Sequence, residues 1–382
     1  MTGVIAPDSV ASAPRERGWR WFVVALVLMF VITAAPVWPP TFAPVAALVR
    51  LFFPIEQFAL LVFVAIASCA VVGWWVGGQV WVALLWLAAC GWTVWGARFD
   101  TPGFGSLVRG WTLVLAASFG LVCLATHARP FFGRALAAVA LAVVVLVASI
   151  ATRSPSNGGT FDNAAQVISA EYQHRLAGSM RSWHRRTESA VWQRFAASAP
   201  DAAGRAERMM AGIASLIEPS SGSGVFRSFS GGPILVLVPA LLGLESLLAL
   251  ALGWAAYHRL SRVRIGPPIA ALRQLRFSDQ LVWGLIVGAT LLVLPTFAEW
   301  RAAGFNFVCF FGTLYALRGA GVLTWWIPDR LAIVALIALV ILIPLLGPVW
   351  VLALVVTTTF GLGLSDTWRD FRVGTRRPTS LP

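Results

Sequence analysis

Residues 233–257 read PILVLVPALLGLESLLALALGWAAY, an apolar run interrupted near its middle by Glu245. Roughly 20 apolar residues at 1.5 Å per residue match a hydrocarbon core of about 30 Å. An ionisable group at that depth costs at least about 2.5 kcal/mol unless it is paired, protonated or facing a cavity. A chain that carries such a run must solve the problem of its carboxylate before it can fold.

The same kind of run recurs. Apolar stretches fall near 20–36, 54–73, 79–97, 107–126, 131–151, 232–257, 279–297, 303–323, 330–345 and 347–364. Of the 382 residues 58% are hydrophobic and only 12% charged, against about 25% charged in soluble domains. The sequence therefore predicts an all-α, polytopic transmembrane helical bundle of about ten spans, with eight to ten allowed. The first run follows Arg15, Arg17 and Arg20 and is read as an uncleaved span, because Pro36 directly follows the small residues Ala34 and Ala35. Residues 36–54 are rich in proline, and their helical part is read as interfacial or re-entrant. The last two runs meet at Pro344 and Gly347–Pro348, as a hairpin or as a kink in one helix.

All 29 basic residues are arginine. With the N-terminus inside and the spans alternating, sixteen arginines flank the inner ends and four flank the short outer ones. Such a bias orients a bundle with both termini in the cytoplasm. The expected segments are a cytoplasmic tail 1–19, a first bundle 20–151, an extracytoplasmic loop 152–230, a second bundle 231–365 and a cytoplasmic tail 366–382. The loop carries two amphipathic patterns. Ile168, Tyr172, Leu176 and Met180 form one stripe, extended by Val191 and Phe195, with Arg175, Arg181, His184, Arg185 and Arg186 on other faces. Met209, Met210, Ile213, Leu216 and Ile217 form the second. A further amphipathic stretch, 267–279, is expected to be an interfacial elbow helix.

The run LRFSDQLVWGLIVGATLLVLP, ending at Pro295, and FNFVCFFGTLYALRGAGVL (305–323) resemble the YybS-like family of bacterial membrane proteins. The matching positions are Trp283, Asn306, Leu314, Tyr315, Leu317 and Gly319. That family is distantly similar to the substrate-capturing S components of energy-coupling-factor vitamin transporters and to MreD-type rod-shape proteins. The resemblance implies a membrane subunit without chemistry of its own, and only part of this longer chain would share a minimal six-helix core.

No phosphate-binding loop, HExxH, CxxC or GxSxG motif is present, so no enzyme is expected and no cofactor is implied. The four histidines share no metal-binding spacing, and the four cysteines (Cys69, Cys90, Cys123 and Cys309) are expected to be small buried hydrophobes. Arginine and tryptophan cluster at span ends, which argues for lipid headgroups and against nucleic acid. Most of the 19 tryptophans, Trp111 and Trp254 among them, are read as interfacial anchors. Trp81, Trp92 and Trp95 share one helical face, either as packing and belt anchors or as a stacking wall for a planar ligand. The candidate ligand-binding residues are these three with Glu245, Tyr315 and Arg318. Arg318 is the expected partner of Glu245, and Tyr315 lies three residues before it on the same side. Asn306 falls about 180° from Tyr315 at 100° per residue and cannot join that set.

Two functions compete: a transport-related substrate-binding membrane subunit working through a separate energising partner, and a non-catalytic scaffold for envelope or division machinery. The bacterial inner membrane is the expected location. The topology is checked by placing a cysteine at Ser156 or Ser221 in a background without native cysteines. An impermeant thiol reagent should label it on whole cells; labelling only after lysis reverses the loop assignment.

Overall fold

The computed structural model describes residues 51–52, 54–96, 103–126, 130–152, 160–217, 235–261, 263–327, 348–369 and 371–372, with a few isolated positions before them. The runs at 20–36 (but for an isolated position) and 330–345, most of 36–54, the N-terminal tail, the C-terminal tail after 372 and the ends of the loop lie outside the described residues. Among those described, 87% are helical and none is in a strand. Five helices are long and apolar enough to cross a membrane, namely Glu56–Trp75, Phe104–Ala125, Phe131–Ser149, Leu235–Leu260 and Pro295–Trp326. Three shorter apolar helices cover further runs of the sequence. The chain divides into two compact units, one holding residues up to 220 with 245–269, the other 221–244 with 270–382.

In the first unit, α1 (Ile55–Trp75) starts behind Pro54, whose carbonyl accepts from Phe58 N–H at 3.1 Å. It stops where Gly77 takes φ 107° and Gly78 N–H returns to the Gly73 carbonyl at 2.8 Å. Only glycine adopts that left-handed conformation without cost, so the turn sets where the helix ends. There follow α2 (Val80–Gly96), α3 (Phe104–Ala125) and α4 (Phe131–Thr152). α8 (Val238–Leu260) supplies its Glu245–Leu260 part to this unit.

Side-chain pairing fixes the directions. Gln57 of α1 meets Glu245 of α8, a Cβ at Gly253 would lie 2.6 Å from Ala65 Cβ, and the Tyr257 hydroxyl rests on Gly73. On α3, Trp111 Nε1–H donates to Ser246 Oγ at 3.0 Å, while Phe119 lies 6.1 Å from Trp254. Residue numbers rise together along all three helices, so α1, α3 and α8 are parallel. Small residues at the crossings let these backbones approach, the usual route to packing among apolar helices.

Over the end where Gln57 and Phe104 lie, α5 (Thr160–Thr187) packs through Val167 and Ile168 onto the Leu60–Val64–Phe104–Val108 cluster. Tyr172 and Leu176 are buried, as the first stripe requires. The stripe does not continue through Val191, which is 66% exposed. Ser189 caps a new helix, α6 (Ala190–Ser198), by accepting from Trp192 N–H, and the redirected chain buries Trp192 against Trp183 at 5.0 Å instead. In α7 (Pro200–Ile217), Met210 and Ile213 form the buried face.

The second unit contains α9 (Val282–Val293), α10 (Arg301–Trp326) and α11 (Pro348–Ser365). Pro295 forces Leu294 into an extended conformation (ψ 124°), which ends α9 and splits the seventh run from the helix after it. Gly284 sits against Phe311 and Gly288 against Phe307, making α9 and α10 antiparallel. α10 and α11 are parallel, since Gly312 faces Phe360, Tyr315 faces Gly363 and Arg318 bonds Asp366. Residues 267–279 form no elbow helix. A single 3-10 turn at Leu272–Gln274 gives way to an extended Leu275, and the Arg273 and Leu275 carbonyls accept from Arg372 Nη1 at 3.2 and 2.9 Å.

The buried faces of α5 and α7 make a direct test. Leu176→Glu or Ile213→Glu buries a carboxylate with no designed partner and should lower unfolding free energy by about 3 kcal/mol or more. Arg185→Ala, on an exposed face, should stay within about 0.5 kcal/mol of the parent. Thermal unfolding in detergent reads both, and equal tolerance of all three would contradict the packed face.

Candidate functional site

Glu245 is 2% exposed. Its Oε2 accepts from Gln57 Nε2 at 2.7 Å, and its Oε1 has no hydrogen-bond partner among the described residues. Gln57 reaches it because α1 begins so late. One turn behind Pro54, Glu56 faces outward while Gln57 faces into the bundle. The parallel crossing with α8 then brings the amide alongside the carboxylate. The neighbouring Ser246 hydroxyl is engaged by Trp111.

From the covering helix, α5 adds Glu171, Tyr172 and Arg175. Glu171 is 5% exposed, and Arg175 Nε donates to its Oε1 at 2.7 Å across one helical turn. The same guanidinium lies 4.9 Å from the Phe104 ring centroid and 5.3 Å from that of Tyr172, and its Nη1 donates to the Leu51 carbonyl at 3.4 Å. The second oxygen of Glu171, Oε2, is buried with no hydrogen-bond partner among the described residues. Burial pushes the Tyr172 pKa up to about 12; Arg175 opposes this, and Glu245 and Glu171 add to it. Tyr172 is therefore a neutral phenol at any physiological pH.

One buried carboxylate, Glu171, is thus paired with a guanidinium and another, Glu245, with an amide, and each keeps an oxygen without a partner among the described residues. Such a site can hold a proton or a further positive charge, because each open oxygen lacks the donor that water would have supplied. No group of three His, Cys, Asp or Glu side chains that could hold a metal ion occurs among the described residues.

The other sequence candidates go elsewhere. Arg318 gives Nε to Asp366 Oδ2 at 2.8 Å, Nη1 to Asp279 Oδ1 at 2.6 Å and Nη2 to the Asp366 carbonyl at 3.0 Å. Every nitrogen of the guanidinium is engaged, so the expected partnership with Glu245 is replaced by two aspartates. Arg372 lies 3.5 Å from the same Asp366 carboxylate. Tyr315, fully buried, packs edge-on against Phe277 at 5.5 Å and against Gly363 of α11. Asn306 faces the other way, as its spacing requires. It accepts from Ala240 N–H at 2.8 Å and donates to the Val236 carbonyl at 2.6 Å, pinning the start of α8.

Trp81, Trp92 and Trp95 do share a face of α2, and it is the exposed one, at 77%, 82% and 82%. Trp86 turns inward against Phe63 at 6.2 Å. Two tryptophans expected to anchor span ends are instead core residues. Trp111 binds Ser246, and Trp254, 0% exposed, lies beneath the Arg134 guanidinium at 5.3 Å. Cys69, Cys90 and Cys123 are buried free thiols, as small hydrophobes would be.

Gln57, Glu171 and Arg175 escaped the sequence reading as site residues. Gln57 left a signal, a lone amide one turn into an apolar run. Glu171 and Arg175 left another, an i,i+4 ion pair flanking the Tyr172 stripe. Neither signal says which span the loop helix will cover. No family model, curated protein or solved structure matches this chain.

The two charge clusters make separable predictions. Arg318→Met strands Asp366 and should cost about 3–5 kcal/mol. Because Glu245 and Arg318 have different partners, adding Glu245→Gln should leave that loss in place, with the two effects additive to within about 0.5 kcal/mol. Recovery of thermal stability in the double variant would restore the Glu245–Arg318 pair.

Proposed function

We propose that the chain is a multi-pass bacterial inner-membrane protein acting as a transport-related substrate-binding subunit, with Glu245 at its ligand site and a separate partner supplying energy. One observation carries this reading. A buried carboxylate within an apolar helix keeps an oxygen without a partner among the described residues, and the amphipathic α5 adds a second buried carboxylate paired with Arg175. Ionisable residues inside membrane spans are rare, face the bundle interior or a cavity, and mark substrate and ion pathways. The likeness to the YybS-like family, and through it to transporter S components, belongs to the same proposal.

The topology proposed from the arginine bias fits the helix directions. With α1, α3 and α8 parallel, the segment between α4 and α8 starts and finishes at one end of the bundle, the end where α5 packs. The sixteen-to-four count assigns that end to the outside, so ligand would approach Glu245 from the extracytoplasmic face beneath α5. α10 and α11 run parallel, as the eighth and tenth crossings of a ten-span chain would.

The scaffold reading draws on a different feature. Arg181, Arg185, Arg194, Arg205 and Arg208 are exposed on α5, α6 and α7, a surface suited to acidic partners. Stable co-purified envelope proteins without a small molecule would favour it.

Purification in mild detergent, native mass spectrometry and complementation of a deletion strain test the transport reading together. Glu245→Gln should keep the melting temperature of the parent, lose a co-purified small molecule and fail to complement. Full complementation with wild-type retention would remove Glu245 from the function.

A further inference from the structure

The ends of α1 and α8 away from Glu245 border a cleft of about 390 Å³, within the size range of small-molecule sites. Both helices are long and apolar enough to cross a membrane, and they finish together here, α1 at Trp75 and α8 at Leu260. Trp75 and Trp81 beside the cleft are largely exposed, as aromatic side chains at a bilayer interface are. Ala70, Val82 and Leu260 give the cleft an apolar wall, while Tyr257, Ser261 and Gln79 supply its polar groups. Tyr257 is 3% exposed, and its hydroxyl has room because residue 73 is glycine; a Cβ there would collide with it. Val263 N–H donates to Ser261 Oγ at 3.2 Å, and Ser261 Oγ donates to the Tyr257 hydroxyl at 3.2 Å. That chain of bonds leaves the phenol proton to be given into the cleft.

We infer that this cleft binds a membrane lipid with an uncharged, oxygen-bearing head, of the diacylglycerol or isoprenoid-alcohol class. No charged side chain lines it among the described residues, and Arg259 turns back to the Ala255 carbonyl at 2.8 Å. An ionised head would therefore be desolvated without a counter-charge. A phosphate would in addition meet the negative ends of two helix dipoles. An alcohol or ester oxygen instead accepts from Tyr257, and the Gln79 amide both donates to such a head and accepts from its hydroxyl. The apolar wall continues to the rim at Leu260, which is 55% exposed, so a tail leaves the cleft directly into hydrocarbon. A water-soluble alcohol shares the head chemistry but leaves that wall unused. The inference stands on residues other than Glu245 and does not depend on the reading given to it.

The test is a melting-temperature titration of the full chain in detergent with dioctanoylglycerol and, separately, with the isoprenoid alcohol farnesol. Dioctanoyl phosphatidylglycerol, which carries the same tails on an anionic head, is the reference. At least one neutral lipid should raise the melting temperature saturably, and the reference should not; the lipid with the larger rise names the source. Tyr257→Phe should raise the half-saturating lipid concentration about fivefold, the loss of one net hydrogen bond. Gln79→Ala, at an exposed position, should also weaken the response, and it keeps the test decisive if Tyr257→Phe does not fold. Val82→Trp, which fills the cleft, should abolish the rise, whereas Glu245→Gln should respond as the parent does. No saturable rise with either neutral lipid, an equal rise with phosphatidylglycerol, or a parent-like response in Val82→Trp each overturns the inference. So does a parent-like response in both Tyr257→Phe and Gln79→Ala.

Discussion

The cost of removing the Glu245 carboxylate from water is the constraint around which the first unit is arranged. Inside an apolar helix the group has no solvent to fall back on, and each unsatisfied oxygen costs free energy comparable to a lost hydrogen bond. Gln57 answers one oxygen directly. That contact requires α1 to begin at Pro54 and to cross α8 in parallel, and the close approach of Gly253 to Ala65 further along keeps the crossing tight. The remaining oxygen is left to whatever comes over the end of the bundle. There α5 brings a cation and a second buried carboxylate together as the Arg175–Glu171 pair.

Elsewhere arginine serves as a joint. Where proline or a turn interrupts a helix, carbonyls lose their intrahelical donors, and in an apolar setting they must find others. A guanidinium carries five N–H donors in a fixed fork and can serve several carbonyls at once. Arg134, 0% exposed, donates to the Ile265 carbonyl at 3.0 Å from its place over Trp254, and a Cβ at Gly266 would come within 2.7 Å of its nitrogen. Arg372 reaches the carbonyls of Arg273, Leu275 and Arg318. These residues entered the sequence reading only as flank charges that set orientation. In the structure Arg134 and Arg372 also hold irregular chain against helices, which explains why the stretch before α9 need not be helical.

Much of the fold was legible because apolar runs of membrane length have few alternatives. α1, α3, α4, α8 and α10 coincide with runs read from hydropathy, and Asn306 and Tyr315 occupy opposite faces as nine residues of helical rotation demand. The errors share one cause, which is that local pattern does not report tertiary partners. Trp111 and Trp254 have the composition of interfacial anchors but meet Ser246 and Arg134. Val191 continues a periodicity that Ser189 breaks by capping. Arg318 is matched in sequence with the most conspicuous acid in the chain, whereas its partners are Asp279, the first residue of one run, and Asp366, just past the end of another. At the site, Glu245 announced itself through its cost, while Gln57 became its partner only through the crossing of α1 with α8, and the Glu171–Arg175 pair was placed only by the packing of α5 on the same end of α1 and α3.

The central claim is that α5 covers the Gln57–Glu245 site, and disulfide trapping measures it most directly. Phe52 and Tyr172 lie with ring centroids 6.0 Å apart, one on the segment leading into α1 and the other on α5 beside Arg175. In a background without native cysteines, Phe52→Cys with Tyr172→Cys should form an intramolecular disulfide in intact membranes under mild oxidation. Modification of each single cysteine by a small thiol reagent confirms that both are reactive. Two reactive cysteines that never cross-link would mean that α5 does not lie over the site, and the account built on Glu245 would fail with it.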